Sequence, residues 1–228
     1  MRKIKKWMFT QKYEEEYTIK ALGLSESTRE DFFQRRNSRK SKWSPRLGMF
    51  KPIDINEKVI LEVGCCVTGP IHDFSNGMRI GLEPLIGDLK SWLDKSVCYV
   101  RAVGECVPLK DEYVDIAICW NVLDHCIDPA KVLDEIYRVT KIDGAFFLMV
   151  NTFPKLAPRK LIEILDPVHL HHYTPREVKL MVSKLFYIVD EKKMKGVARS
   201  GLKSIKEEVS NKMVTRLFLR AVKRKPET

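Results

Sequence analysis

From Lys58 onward the chain repeats one pattern, a short apolar run followed by glycine, proline or an acidic residue, at intervals of about twenty residues. The runs are Val59 to Val63, Arg79 to Leu82, Val97 to Arg101, Val114 to Trp120 and Ala145 to Val150. Near-continuous apolar runs of this length are what strands buried on both faces require, and such strands belong to parallel sheets. Helical segments between them imply an α/β sheet with right-handed crossovers.

The best-marked helix has Asp128 as N-cap and Pro129 at its first position, where a missing N–H costs nothing. Val132, Leu133, Ile136 and Val139 form its inward face, and Asp143-Gly144 predicts its end. An irregular stretch runs from Asn151 to Thr174. A second helix follows from Pro175 to about Leu185, with Val178, Met181, Val182 and Leu185 on one face. Phe186 to Val189 and Val214 to Ala221 read as late strands. Ser25 to Glu30 can start a helix that runs through Phe32 and Phe33.

With 228 residues, 44% of them apolar, the chain suits one domain with flanks. The expected division is a basic helical flank over 1–51, the α/β domain over 52–222 and a basic tail over 223–228. The net charge of +11 is uneven: +8 over 1–51, −7 over 52–154 and +10 over 155–228. Clustered lysine and arginine attract anions, whether nucleic acid, a phosphorylated small molecule or a membrane surface, although a solvated surface explains dispersed charges equally well. Six cysteines without a C-x-x-C pair argue against both a zinc knuckle and a disulfide framework. Met1 to Thr10 lacks the apolar stretch of a signal peptide, and no run is long enough to span a bilayer. A cytoplasmic setting is expected. Ile4, Trp7, Met8 and Phe9, interleaved with lysines, form a short amphipathic face that we expect to pack against the domain. Nothing in the sequence specifies an oligomeric state.

The segment from Val59 to Gly69 carries the most chemical information. It is a buried strand that ends in an acid and then turns through Gly64 and Gly69, where the backbone can approach a ligand and a following helix can offer N–H groups. G-x-G-x-x-G would need glycine at Cys66, so the dinucleotide pattern is absent. The strand Arg79 to Glu83 ends in a carboxylate about twenty residues on, where an acid can accept both ribose hydroxyls.

Leu61-Glu-Val-Gly-Cys65, Gly81-Leu-Glu-Pro84, Gly104-Glu-Cys-Val-Pro-Leu109, Val114 to His125 and Asp128 to Gly144 occur in one order. In that order they resemble the class I S-adenosylmethionine-dependent methyltransferases, specifically the type 11 methyltransferase family. The resemblance covers roughly residues 57 to 190. It implies a Rossmann-like, doubly wound, seven-stranded, mostly parallel sheet with an antiparallel last strand and helices on both faces. It implies S-adenosylmethionine as cofactor, with Glu62, Gly64, Cys65 and Gly69 around the methionine part and Glu83 at the ribose. Gly104, Glu105 and Cys106 would border the adenine, and Trp120 and Asn121 the transferred methyl group. The segment from His169 to Thr174 resembles the family's loop that lines the acceptor pocket. Cys66 departs from the family pattern, which has glycine there.

Methyl transfer from a sulfonium mainly needs donor and acceptor held in line, with a base only for an acidic acceptor. His125 and His171 are the candidate bases. The histidines of 169–172 lack matched carboxylate or cysteine spacing, so no metal is expected. The expected partner is a small-molecule acceptor, such as a lipid, a glycan precursor or another metabolite, anionic ones included. The alternatives are an RNA methyltransferase using the basic flanks and a degenerate, non-catalytic fold.

Overall fold

The computed structural model describes residues 2–22, 28–38, 40–87, 89–195 and 213–225. Seven strands form one sheet: β1 (Val59–Val63), β2 (Met78–Leu82), β3 (Cys98–Val100), β4 (Val114–Trp120), β5 (Thr140–Thr152), β6 (Tyr187–Lys195) and β7 (Thr215–Val222). Their order is β3-β2-β1-β4-β5-β7-β6. The first five pair in parallel, and β7 lies antiparallel between β5 and β6. The expected Rossmann-like sheet with an antiparallel last strand is therefore present.

Strand alternation divides the apolar residues between two faces. On one face Leu61, Val63, Ala117, Phe146 and Leu148 meet Val132, Leu133, Ile136 and Val139 of α3 (Pro129–Val139) and Val178 and Val182 of α5 (Pro175–Ser183). On the other, Ile60, Ile116, Ile118, Phe147 and Phe218 pack under Leu47, Phe50 and Phe74, with Trp43 edge-on to Phe74 and Phe147. Leu47 belongs to a single 3-10 turn, Pro45–Leu47. The last part of the basic flank therefore closes one of the two cores.

Local chemistry sets the helix ends. Asp128 accepts hydrogen bonds from the N–H groups of Ala130 and Lys131 at the start of α3. Thr174 and Glu177 form a reciprocal capping box at the start of α5. α2 (Arg29–Asn37) is capped by Thr28; residues 25–27, where its start was also placed, lie outside the described residues, as do residues 226–228 of the tail.

The structure departs from expectation in four places. α3 stops at Val139, not near Asp143-Gly144, because Thr140 turns extended and pairs with Val114. A register shift follows, and Asp143 sits at φ 62°. β6 runs on to Lys195 rather than ending at Val189. The irregular stretch contains a short helix, α4 (Arg159–Leu165). No α-helix follows β1: between Gly69 and Met78 the chain has room only for the 3-10 turn Pro70–Asp73.

Candidate active site

Chain direction across the sheet reverses beside β1, with β2 on one side and β4 on the other. A parallel sheet opens a crevice beyond the carboxyl ends of its strands at such a point. A cavity of about 550 Å³ lies there, lined by residues from the β1, β2 and β4 exits, the Gly104 turn and the face of α1 (Arg2–Ala21).

The β1 exit is built around two glycines and a buried acid. Gly64 has φ +69°, and a Cβ there would lie 2.4 Å from the Val122 side chain. A Cβ on Gly69 would lie 2.5 Å from both carboxylate oxygens of Glu62. Glu62 is fully buried, and its Oε2 accepts a hydrogen bond from the Ile71 N–H at 2.7 Å. Burial holds its pKa well above the ordinary carboxylate value despite that bond. The N–H groups expected from a helix after the turn are thus replaced by a short turn whose Ile71 N–H is bound to Glu62. Cys66, in place of the family glycine, nevertheless adopts the left-handed φ of 45°.

Glu83 directly follows β2 and is 5% exposed. Its Oε2 accepts from the Cys66 N–H at 2.8 Å and its Oε1 from the Leu85 N–H at 3.0 Å. Burial raises its pKa, and the two N–H groups offset only part of that rise. The β4 exit turns through Asn121 at φ 59°; the Asn121 N–H donates to Met149 O, and its side-chain oxygen accepts from Asn151 Nδ2 at 2.8 Å.

Of the residues singled out from sequence, Gly64, Cys65, Gly69, Glu83, Gly104, Glu105, Trp120, Asn121 and His125 line this cavity. Glu62 sits beneath it. Cys106 is exposed and outside the lining, and the Glu105 carboxylate also accepts from the Ile127 N–H at 2.8 Å. His171 lines a separate depression, stacks on Tyr173 and donates from Nε2 to Cys126 O at 3.0 Å.

Sequence reasoning missed the cavity's outer wall. Trp7, Gln11, Glu14 and Thr18 of α1 line it, as do Arg46, Asn151 and Arg216. The signal was the helical spacing of Trp7, Gln11, Glu14 and Thr18, a mixed face that an apolar count overlooks. The expectation that Ile4, Met8 and Phe9 pack inward fails: they are exposed at 52%, 61% and 61%. That end of α1 is held by polar ties, with Thr10 Oγ1 donating to Val168 O at 2.7 Å and Lys6 Nζ to His169 O at 2.7 Å, while Ile19 at its other end packs against the cluster of Phe32, Val67 and Leu89.

His125 is buried at 8% exposure, and burial lowers its pKa, so the ring is neutral near pH 7. Its Nδ1 has no hydrogen-bond partner among the described residues.

The family model described as a methyltransferase domain matches residues 61–148. A thiol S-methyltransferase of Rattus norvegicus is 26% identical over 128 residues, which are 51% of this chain; the chain spans about half (52%) of that relative's length. Among solved structures, the YcgJ protein of Bacillus subtilis superposes with a TM-score of 0.57 at 16% identity, over 75% of this chain and 93% of its own. Geranyl diphosphate C-methyltransferase of Streptomyces coelicolor, solved with Mg2+, geranyl diphosphate and S-adenosylhomocysteine, gives 0.59 at 13% identity, over 73% and 72%. The [4+2]-cyclase SpnF gives 0.59 at 15%, over 75% and 76%, so these likenesses speak to fold alone. No helix among the described residues is long and apolar enough to cross a membrane. The domain match falls on the strands that build the crevice, from β1 into β5, so over residues 61–148 the chain is similar to a methyltransferase domain where the site is built.

Proposed function

We propose that this chain transfers the methyl group of S-adenosylmethionine to a nucleophilic atom of a small-molecule acceptor. One observation carries the reading: the Glu83 carboxylate lies in the switch-point cavity with each oxygen pinned by one backbone N–H. A carboxylate offers about four acceptor positions, so each oxygen keeps room for one more donor, the match for two neighbouring ribose hydroxyls. The cofactor fits the rest of the cavity as well. Its volume is within the usual range for ligand sites, and the missing Cβ atoms of Gly64 and Gly69 let Val122 and Glu62 pack directly against the turn that forms its floor.

Bound S-adenosylmethionine supplies an electrophilic methyl group. In our reading Gly104 and Glu105 border the adenine, and the backbone of Gly64, Cys65 and Gly69 borders the amino-acid end. Glu62 holds that turn from below through Ile71. Arg46, on the same wall, offers a positive partner for the amino-acid carboxylate. Trp120 and Asn121 border the methyl group, and the Asn151 bond fixes the Asn121 amide.

The acceptor would occupy the space between the β4 exit and α1, beside Trp7, Glu14 and His125. A neutral imidazole with an unpartnered Nδ1 can take a proton from a thiol or hydroxyl, and a thiol is the acceptor type named for the rat relative. Calorimetric titration with S-adenosylhomocysteine, followed by a turnover screen of small thiols, phenols and amines, tests the proposal. We expect one ligand per chain and turnover on at least one class. No binding would refute the reading, and binding with turnover only on RNA would replace the acceptor class.

A further inference from the structure

At the cavity's outer end, side chains from three distant parts of the chain converge. Glu14 of α1, His125 after β4 and His169 before α5 each present a ligand atom within 4.8 Å of the others. His125 Nδ1 faces Glu14 Oε1 at 3.8 Å. His125 Nε2 faces Asp124 Oδ1 at 3.8 Å, and His169 Nε2 faces Asp124 Oδ2 at 3.7 Å. The two imidazole rings meet edge-on at 4.4 Å between centroids.

These separations are too long for hydrogen bonds and too short for indifference. Two nearby groups are left unsatisfied in the interior. His125 Nδ1 and Asp124 Oδ1 have no hydrogen-bond partner among the described residues, on side chains that are 10% and 3% exposed. Such orphaned buried atoms cost on the order of 1–3 kcal/mol each unless something meets them. His169, by contrast, is held in place: its Nδ1 donates to Asp166 Oδ1, so Nε2 is turned toward the cluster. A carboxylate orienting one ring nitrogen so that the other faces inward is the support that metal-bound histidines receive.

We propose that Glu14, His125 and His169 form a binding site for one divalent transition-metal ion of the zinc class, with Asp124 beside it balancing the charge. Two imidazoles and a carboxylate suit zinc, whereas magnesium favours oxygen donors and retained water. Bonds of about 2.1 Å to one ion would draw the three donors closer together than the 4.8 Å that now contains them, and Glu14, the most exposed of the three, has the most room to move. Three donors leave a position open on a tetrahedral ion. Glu14 and His125 also line the cavity, so the ion would border the acceptor region. An anionic sulfur or oxygen is the ligand class for that position, and in the loaded protein the His125 lone pair would be engaged by the ion instead of a proton. The local charge agrees: Glu14, Asp124 and Asp166 place three carboxylates around two histidines. Sequence spacing gave no sign of the site because Glu14 comes from the other end of the chain.

The test uses the full chain with the exposed Cys98 and Cys106 replaced by serine, stripped with a chelator and titrated with Zn2+ in competition with a chromophoric chelator. One tightly held equivalent is expected. Glu14→Gln and His169→Gln should each abolish the tight equivalent, and Asp166→Asn should weaken it by about 10–100-fold through the loss of ring orientation. A Co2+-loaded sample should show ligand-field bands that disappear with His169→Gln. S-adenosylhomocysteine affinity serves as the fold control, since none of these residues is placed at the nucleoside. Absence of a stoichiometric ion, or an ion that survives both ligand substitutions in protein that still binds S-adenosylhomocysteine, would overturn the site and leave the methyl-transfer reading untouched.

Discussion

At Gly64 two constraints coincide, a left-handed backbone at φ +69° and the Val122 side chain 2.4 Å from where a Cβ would stand. Gly64→Ala should therefore lower stability by on the order of 2–4 kcal/mol, combining backbone strain with overpacking. A denaturant titration of Gly64→Ala with and without Val122→Ala separates the two: the second change should recover the packing share and leave the backbone share. Cys66 accepts the backbone share where the family has glycine, yet its N–H still reaches Glu83. Glu83 makes a pH prediction. Its pKa is raised in the unliganded protein, and the ribose contact needs the ionised form. Affinity for S-adenosylhomocysteine should hold at neutral pH and fall as pH drops through that raised pKa, above the ordinary carboxylate range. The same shift makes this group's contribution to apo stability grow as pH falls, so acid unfolding through Glu83 does not account for the loss. Calorimetry across pH should show Glu83→Gln weaker by at least about tenfold and without this pH dependence. An unchanged profile in Glu83→Gln would remove Glu83 from the ribose contact.

Elements whose ends are set by their own residues were legible, and those set by distant pairing were not. α3 begins where Asp128 and Pro129 say it must, and Asp128→Ala should cost about 1 kcal/mol by removing two N–H partners, measurable as a lower thermal midpoint. Its end was misplaced because Thr140 is drawn into the sheet by Val114, a partner that local pattern cannot reveal. The buried strands β1, β2 and β4 were readable because both faces are covered, whereas β6 is exposed at every residue from Lys192 to Lys195 and looks polar beyond Val189. The site divides in the same way. Gly64, Gly69, Glu83 and Asn121 stand at the ends of apolar runs, where sequence marks them. Trp7, Glu14, Arg46 and Arg216 reach the cavity only through tertiary folding, and the exposed Ile4, Met8 and Phe9 drew attention to the wrong side of α1.

Across the whole molecule, the sheet supplies a rigid half-site and α1 supplies the wall opposite. The two are joined differently. The sheet's apolar clusters are continuous, while α1 is tied to the domain at separate points: Thr10 to Val168, Lys6 to His169, Glu14 facing His125, a long contact from Thr18 to Cys66, and Ile19 packed near Val67 and Leu89. An element held this way opens at far lower free energy than the core, so its amides should exchange quickly in the unliganded protein. A ligand that touches both halves adds contacts only in the closed arrangement and should protect α1 selectively. Thr10 is the residue on which to test this, because it is fully buried and its hydroxyl reaches across to the loop before α5. Thr10→Val keeps the shape and removes the bond. Hydrogen exchange should then show α1 faster without ligand, with β1, β4 and β5 unchanged, the opening of α1 being easier by about 1 kcal/mol for one neutral hydrogen bond. If exchange in the core strands rose together with α1, the helix would be part of the same cooperative unit and the two-part description of the cavity would fail.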